Sequence, residues 1–248
     1  MATRWTSKHT GQKIDDTIDY VCNPNLLDNW YFGNPVNQRG QTSYTGTGYG
    51  IDRWKMTGDG NPNLILGDNY ITYNGVGNTN LAQDVEGKFA GKTLTLSFLL
   101  KDPVNCMIAI RKPDWNVFSW FAIRGDSGLY SVTATIPNDY TEDRIRLTLC
   151  AGASGESVAH SAGIFASKLE LGSTQTLAHQ DANGNWVLNE IPDYGEQLRR
   201  CQRYFQTFAT ESLRPTNALD FRPVMRATPA LSTITVGGKT LYTASADL

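Results

Sequence analysis

The feature that most constrains the fold is a two-residue alternation of apolar and polar side chains between residues 23 and 172. Leu94, Leu96 and Phe98 alternate with threonines and a serine, and residues 144–149 repeat the pattern. This period is typical of a strand with one buried face. Further strand-like runs occupy 49–56, 107–111, 118–124, 130–136 and 164–171. Roughly eight to ten short strands predict an all-β protein, a β-sandwich with jelly-roll topology.

Two turn signals separate predicted strands. Residues 125–128 (GDSG) lie between the runs 118–124 and 130–136, which predicts a hairpin. The pair Asn183-Gly184 predicts a second hairpin between 176–180 and 185–190.

Two stretches have helical spacing. Near the amino end, Ile14, Ile18 and Val21 form one apolar stripe of a short helix. The second helix begins at Asp193 and Glu196, a pattern resembling a capping box. Its predicted apolar face consists of Leu198, Cys201, Phe205 and Phe208.

Strand signals return after residue 210, at 220–225, 231–236 and 240–243, with a turn at Gly237-Gly238. The predicted organisation has four parts. Residues 1–22 are an amino-terminal helix or linker whose apolar stripe either docks on its own domain or meets copies of itself, and 23–172 are the jelly roll. Residues 173–210 are a hairpin and amphipathic-helix connector, and 211–248 are an incomplete β segment.

Charge and hydropathy exclude some classes of binding partner. The 248-residue chain has a formal net charge of −2 without a cluster of Lys and Arg, so nucleic acid is not an expected partner. The longest apolar run, 94–100, is too short to span a bilayer, and we expect neither membrane insertion nor a signal peptide. The four cysteines lack metal or redox spacing, which predicts reduced thiols in a cytoplasmically made protein.

Catalytic and metal-binding patterns are incomplete, and we predict no enzyme activity and no cofactor. Residues 125–128 resemble the nucleophile segment of trypsin-like proteases, but only His9 precedes them as a base. Ser154 and Ser157 near His160 lack a nucleophile elbow. Residues 59–63 and 181–185 begin like calcium loops but lack the turn glycine at the sixth position and the bidentate glutamate at the twelfth.

Exposed aromatic side chains are the remaining candidates for binding, because sugar rings stack on Trp and Tyr while nearby polar groups bond the hydroxyls. The span 112–121, with Arg111 beside it, contains both aromatic and polar side chains, and its Pro113-Asp114 turn predicts a loop. The predicted ligand-binding residues are Asp114, Trp115, Phe118, Trp120, Tyr44 and Tyr49. The alternative for each is packing in the core or against another subunit.

Several blocks of the chain resemble tail fibre and tail-tip proteins of phages and prophages of gut Firmicutes. They are 25–32 with 35–40 and 49–54, then 168–173 (KLELGS), 194–198, 201–205 (CQRYF) and 222–229. The resemblance covers nearly the whole chain. It implies a homotrimer in a virion tail that contacts other tail proteins and a host-surface glycan or protein.

Residues 81–84 and 91–98 are similar to the jelly-roll carbohydrate-binding modules of glycoside hydrolases. No sugar-binding tryptophan of that family matches residue by residue. The resemblance implies a sandwich framework and leaves room for a structural calcium.

The leading hypothesis is therefore a non-enzymatic structural and receptor-binding module of a bacteriophage tail fibre. A stand-alone carbohydrate-binding module is the first alternative. A polysaccharide depolymerase fragment is the second.

Overall fold

The computed structural model describes residues 23–123, 125–149, 158–215 and 220–248. Two six-stranded antiparallel sheets form a jelly-roll β-sandwich, which confirms the predicted fold class. The first sheet runs in the order β1 (Ser43–Thr45), β4 (Asn63–Leu66), β5 (Ile71–Val76), β12 (Ala159–Leu171), β7 (Thr93–Val104) and β10 (Gly128–Thr135). The second runs in the order β2 (Gly48–Tyr49), β3 (Lys55–Thr57), β6 (Asn80–Glu86), β11 (Arg144–Leu149), β8 (Cys106–Arg111) and β9 (Val117–Ile123).

The core lies between the two sheets and contains the apolar half of each alternating strand. Leu94, Leu96 and Phe98 of β7 face Ile145 and Leu147 of β11 in one continuous cluster. Trp54 is fully buried there, and its ring meets those of Phe32 and Phe98 at centroid distances of 5.3 and 6.3 Å. The alternation read from the sequence therefore predicts correctly which side chains form the core.

The predicted hairpin around residues 125–128 is wrong. β9 pairs with β8 in the second sheet, whereas β10 pairs with β7 in the first. The connection therefore crosses from one sheet to the other. Both strands bury one face in the same core, so each alternates apolar and polar residues as the strands of a hairpin do. Their backbones nevertheless do not pair.

The 168–173 block has a structural role. Lys168 and Glu170 are buried on β12, with Nζ and Oε2 3.5 Å apart. Thr176 accepts a hydrogen bond from Lys168 and donates one to Glu170. Burying these charges is tolerable only because they satisfy one another. The block therefore fixes the segment after β12 onto the sandwich.

The chain then forms smaller elements. The Asn183-Gly184 hairpin is confirmed as β13 (Ala178–Gln180) and β14 (Trp186–Leu188). Helix α1 (Tyr194–Cys201) follows, capped as predicted by Asp193, which accepts a hydrogen bond from the Glu196 amide at 2.8 Å. A 3-10 turn occupies Glu211–Leu213. A three-stranded carboxyl-terminal sheet has the order β15 (Phe205–Phe208), β17 (Lys239–Ser245), β16 (Ala230–Val236).

Two expectations for this region are wrong. Phe205 and Phe208 lie in β15, not on a helix, because the strand pairs with β17 and this pairing overrides the helical spacing. Residues 220–225 form turns and bends; Phe221 and Met225 nevertheless fill the small core of the carboxyl-terminal sheet. The hairpin turning at Gly237-Gly238 is confirmed. The division of the chain at 172 and 210 remains a prediction.

A buried charge network joins the carboxyl-terminal sheet to the sandwich. The guanidinium of Arg39 lies 3.2 Å from an Asp52 oxygen and 2.7 Å from an Asp247 oxygen. It also stacks over the ring of Phe205 at 3.8 Å. Burial raises the pKa of Asp52 to about 6, although Arg39 opposes that shift. We call Arg39, Asp52, Asp247 and Phe205 the Arg39 network.

Three further expectations concern the cysteines, residues 1–22 and membrane-spanning helices. Cys106 and Cys201 are buried free thiols, while Cys22 and Cys150 lie outside the described residues. The predicted helix and linker of residues 1–22 also lie outside them. Across the described ranges, helices are too short or too polar to cross a membrane.

Candidate functional site

The outward face of the second sheet carries most of the predicted binding residues. Leu81, Ile108 and Leu147, on three strands of this sheet, point into the core. Because side chains alternate along a strand, the residue next to each of them points outward. The strand register aligns one such row across all six strands: Tyr49, Lys55, Ala82, Thr148, Ala109 and Trp120. The row therefore has aromatic side chains at its two ends, with Lys55 beside Tyr49 and three small side chains between Lys55 and Trp120.

Trp115 lies at the tip of the turn that joins β8 to β9. Its backbone has a φ of 74°, in the left-handed region that a bulky side chain rarely adopts. The turn holds it there: the Trp115 amide donates to the Lys112 carbonyl, and Arg111 donates to the Trp115 carbonyl, both at 3.1 Å. Such strain is concentrated at functional positions, where the surroundings hold the residue in place.

The Trp115 ring lies over the guanidinium of Arg146, with Cζ 4.4 Å from the ring centroid. Arg146 is itself fixed by Asp84, whose two oxygens accept hydrogen bonds at 2.7 and 2.8 Å. Arg146 also donates to the Pro113 carbonyl at 2.8 Å. The indole is thus supported from below while 38% of the residue remains exposed. A cation–π contact of this kind contributes about 1 kcal/mol to holding the ring.

Trp120 projects from the edge strand β9 and is 54% exposed. It pairs in register with Ala109, whereas Arg146 of the neighbouring row pairs with Arg111. The two tryptophans therefore lie on the same outward face, Trp120 on β9 and the Trp115 ring above Arg146 of β11. Thr148 and Ala109 are fully buried, so a ligand would meet the aromatic rings and not the strand floor. We call the surface of Trp115, Trp120 and Arg146 the tryptophan face.

The remaining predicted residues have other surroundings. Asp114 shapes the turn: its carboxylate accepts hydrogen bonds from the Asn116 side chain and amide, which lower its pKa. Phe118 is partly buried, edge-to-face with Tyr140 at 5.2 Å, so it supports the turn. Tyr49 is half-buried and donates its hydroxyl hydrogen to the Leu248 carbonyl.

The expectation for Tyr44 is wrong. Only 7% of the residue is exposed, and its ring belongs to the core between the sheets. Its hydroxyl donates to Asn37 and accepts from the Gln41 amide. The Gly- and Thr-rich sequence around it suggested an open loop, but Tyr44 occupies the inward position of β1.

Sequence reasoning missed the ion pair of this region. It also missed Phe121, which is 46% exposed but pairs with Ile108, so it lies on the opposite side of β9 from Trp120, 6.4 Å from the Tyr130 ring. The Asp84–Arg146 pair comes from distant strands, so only the register of β6 with β11 brings it beneath Trp115. Its signal in the sequence was a pair of opposite charges at outward positions of two strands.

The segment 125–128, which resembles a protease nucleophile, has its serine hydrogen-bonded to an aspartate. The Ser127 hydroxyl donates to an Asp102 oxygen at 3.0 Å and accepts from the Asp102 amide at 2.9 Å. The His160 ring on β12 forms a hydrogen bond with Thr79 at 3.1 Å. Among the residues that the structure describes, no three His, Cys, Asp or Glu side chains are grouped closely enough to hold a metal ion.

Comparison with protein-family models and with curated proteins gives no match. Among solved structures, the chain is similar to one described as CBM4, with 18% identity and a TM-score of 0.39 over 59% of this chain and 99% of that one. It is similar to the xylan-binding module CBM15, with 11% identity and a TM-score of 0.36 over 53% and 97%. The enzymatically active domain of tailspike protein 4 of bacteriophage CBA120 gives 13% identity and a TM-score of 0.33, over 59% of this chain and 21% of that one.

Proposed function

We propose that this chain is a non-enzymatic glycan-binding module and that the tryptophan face is its binding surface. The observation that carries the proposal is Trp115, held in a strained turn conformation above an ion-paired arginine with its outer side open to solvent. A protein gains no core packing from such an arrangement. A rigid exposed indole instead offers a flat apolar surface at little entropic cost on binding.

Glycan chemistry fits the tryptophan face. The C–H faces of a sugar ring stack on an indole, and two indoles on one face can contact successive rings of a chain. The Asp114 carboxylate and the Asn116 amide lie beside Trp115 and can bond sugar hydroxyls. Lys112 and Arg111, from the same turn, add donors. The ligand would be a neutral or weakly charged saccharide lying across β9 and β8.

We place this module in a bacteriophage tail fibre, where it would attach the virion to a host-surface glycan. Support comes from the sequence blocks around residues 25–40, 168–173 and 194–205. Single sites of this kind bind weakly, and three linked copies gain affinity through effective concentration. The proposal therefore includes a homotrimer with other tail proteins as neighbours. A stand-alone carbohydrate-binding module is the second candidate, favoured by the same tryptophan face without a need for assembly.

Titration calorimetry with glycans selected on an array tests the binding site. Trp115→Ala and Trp120→Ala should each weaken binding about tenfold or more, because each removes a stacking surface. Tyr194→Ala is the matched control, since this tyrosine is also exposed but lies on α1. Unchanged affinity in both tryptophan variants would show that the site lies elsewhere. Cleavage of the glycan by the wild-type protein would support the depolymerase alternative.

Sedimentation equilibrium separates the two biological settings. A tail fibre module should have the mass of a trimer at micromolar concentration, whereas a stand-alone binding module should be a monomer of 27.4 kDa. The monomer result would remove the multivalent part of the proposal and leave glycan binding intact.

A further inference from the structure

A cavity of about 180 Å³ lies where helix α1 meets the sandwich. Its walls come from the sandwich through Asp28, Arg53 and Glu86, and from the helix and the residues after it through Arg200, Arg203 and Tyr204. We call it the arginine cavity. It shares no residue with the tryptophan face.

Arg53 forms the buried wall of the arginine cavity. The residue is 3% exposed, and its φ of 70° is again in the left-handed region. Its Nε donates to Asp28 at 3.0 Å and Nη2 to the Asp84 carbonyl at 2.7 Å, while the guanidinium stacks on Tyr204 at 3.4 Å. These contacts fix the plane of the group. They leave Nη1 without a hydrogen-bond partner among the described residues.

Two more guanidinium groups line the cavity with unused donors. Arg200 contacts Asp28 through Nε at 2.7 Å, and its two terminal nitrogens have no acceptor in the described part of the chain. Arg203 is exposed, and none of the residues described here accepts a hydrogen bond from its side chain. Both arginines lie near the mouth of the cavity, in contrast to buried Arg53.

The two carboxylates beside the cavity are already engaged. Asp28 is shared by Arg53 and Arg200. Glu86 accepts from Arg226 at 2.7 Å and from the Tyr204 hydroxyl at 3.1 Å. Four arginines therefore surround two carboxylates, leaving a local excess of two positive charges in a chain whose net charge is −2. The excess faces a space large enough for a small anion.

We propose that the arginine cavity is a binding site for a small oxyanion, either the carboxylate of an acidic sugar or a free inorganic sulfate or phosphate. Planar guanidinium groups bind such oxygens through paired, charge-assisted hydrogen bonds. Arg53 would hold the anion from the sandwich, and Arg200 and Arg203 from the helix side. The ion would then bridge the two parts and stabilise their contact by mass action.

The test is calorimetric titration of the full chain with sulfate, phosphate and glucuronate, with glucose and chloride at matched ionic strength as references. At least one oxyanion should bind with a single-site isotherm, and neither reference should. Arg203→Gln should weaken that binding about tenfold or more, since a charge-assisted hydrogen bond is lost. The variant leaves the fold intact because the side chain makes no contact that the fold uses.

Arg199→Gln is the matched control. Arg199 lies on the same helix and carries the same charge, but it pairs with Glu196 at the surface. It should bind the anion as the wild type does. Equal weakening in both variants would reduce the effect to general charge and overturn the proposal, as would failure of all three oxyanions to bind.

The separate arms identify the source of the anion. Preference for glucuronate over sulfate and phosphate indicates an acidic sugar, and the reverse indicates a free ion. If sulfate stabilised the folded state of Arg203→Gln as much as that of the wild type, the effect would be the general exclusion of sulfate from protein surfaces. That result would count against a site. Loss of glycan binding in Trp115→Ala with retained oxyanion binding would separate this proposal from the proposed function.

Discussion

Asp52 shows how one residue can stabilise a contact and still be unfavourable as a charge. Its carboxylate is almost completely buried and accepts hydrogen bonds from the Gln38 amide and from Arg39. Burial nevertheless raises its pKa to about 6, so desolvation outweighs these partners. Burial also raises the pKa of Asp247, which shares Arg39. The two acids therefore titrate as a coupled pair around one guanidinium.

The stability of the fold should respond to this titration in a defined direction. The folded state holds a proton on Asp52 that the unfolded state releases, so the contribution of Asp52 to stability is greatest below pH 3.8 and is lost as the pH rises through about 6. The difference between the two Asp52 pKa values corresponds to a change of at most about 3 kcal/mol in the free energy of unfolding. Urea unfolding of wild type and Asp52→Asn across pH 4–7 checks this, because groups that are not coupled to Asp52 cancel in the difference between the two proteins. A difference that is flat, or that favours the wild type as the pH rises, would contradict the assigned pKa.

Helix α1 illustrates how a short element depends on its surroundings. Eight residues are too few for a stable isolated helix, so capping and docking must supply the rest. Asp193 caps the first turn. Gln197 accepts a hydrogen bond from the Asn29 amide at 2.7 Å, and Arg200 pairs with Asp28, which together fix the helix to the sandwich.

Removal of the cap should loosen the helix measurably. Asp193→Ala is expected to destabilise it by about 1 kcal/mol, since the Glu196 amide loses its acceptor. Hydrogen exchange of the amides of 194–201 measures the loss. Asp193→Asn should retain nearly all protection because asparagine caps as well as aspartate. Equal loss in the two variants would mean that the charge matters and not the hydrogen bond.

At the scale of the whole molecule, the Arg39 network holds the carboxyl-terminal sheet against the sandwich. The core of that sheet is small, centred on Phe221, Met225, Ala244 and Ala246. Its position therefore depends heavily on polar contacts with the sandwich. Gln38, which donates to the Phe205 carbonyl at 2.7 Å, adds to them.

Arg39→Gln should release the carboxyl-terminal sheet before the sandwich unfolds. Two buried carboxylates would lose their cation, at a cost of about 3 kcal/mol. Hydrogen exchange should accelerate in β15 and β17 while β7 and β12 keep their protection. Lys239→Gln, an exposed charge at the first residue of β17, is the control. Uniform acceleration in all four strands would indicate that the molecule opens as one unit.

The sequence by itself determined the all-β class, the inward residues of the long strands, the capped helix and the two glycine turns, because these follow from local periodicity and turn chemistry. It also placed Trp115 on a loop. Tertiary structure alone decided that β9 and β10 join different sheets, that Phe205 and Phe208 lie in a strand and that Tyr44 is buried. It alone brought Asp84 and Arg146 beneath Trp115 and gathered the arginines at the helix. Strand register and sheet pairing join residues far apart in the chain, and a period of two is the same whichever partner a strand has.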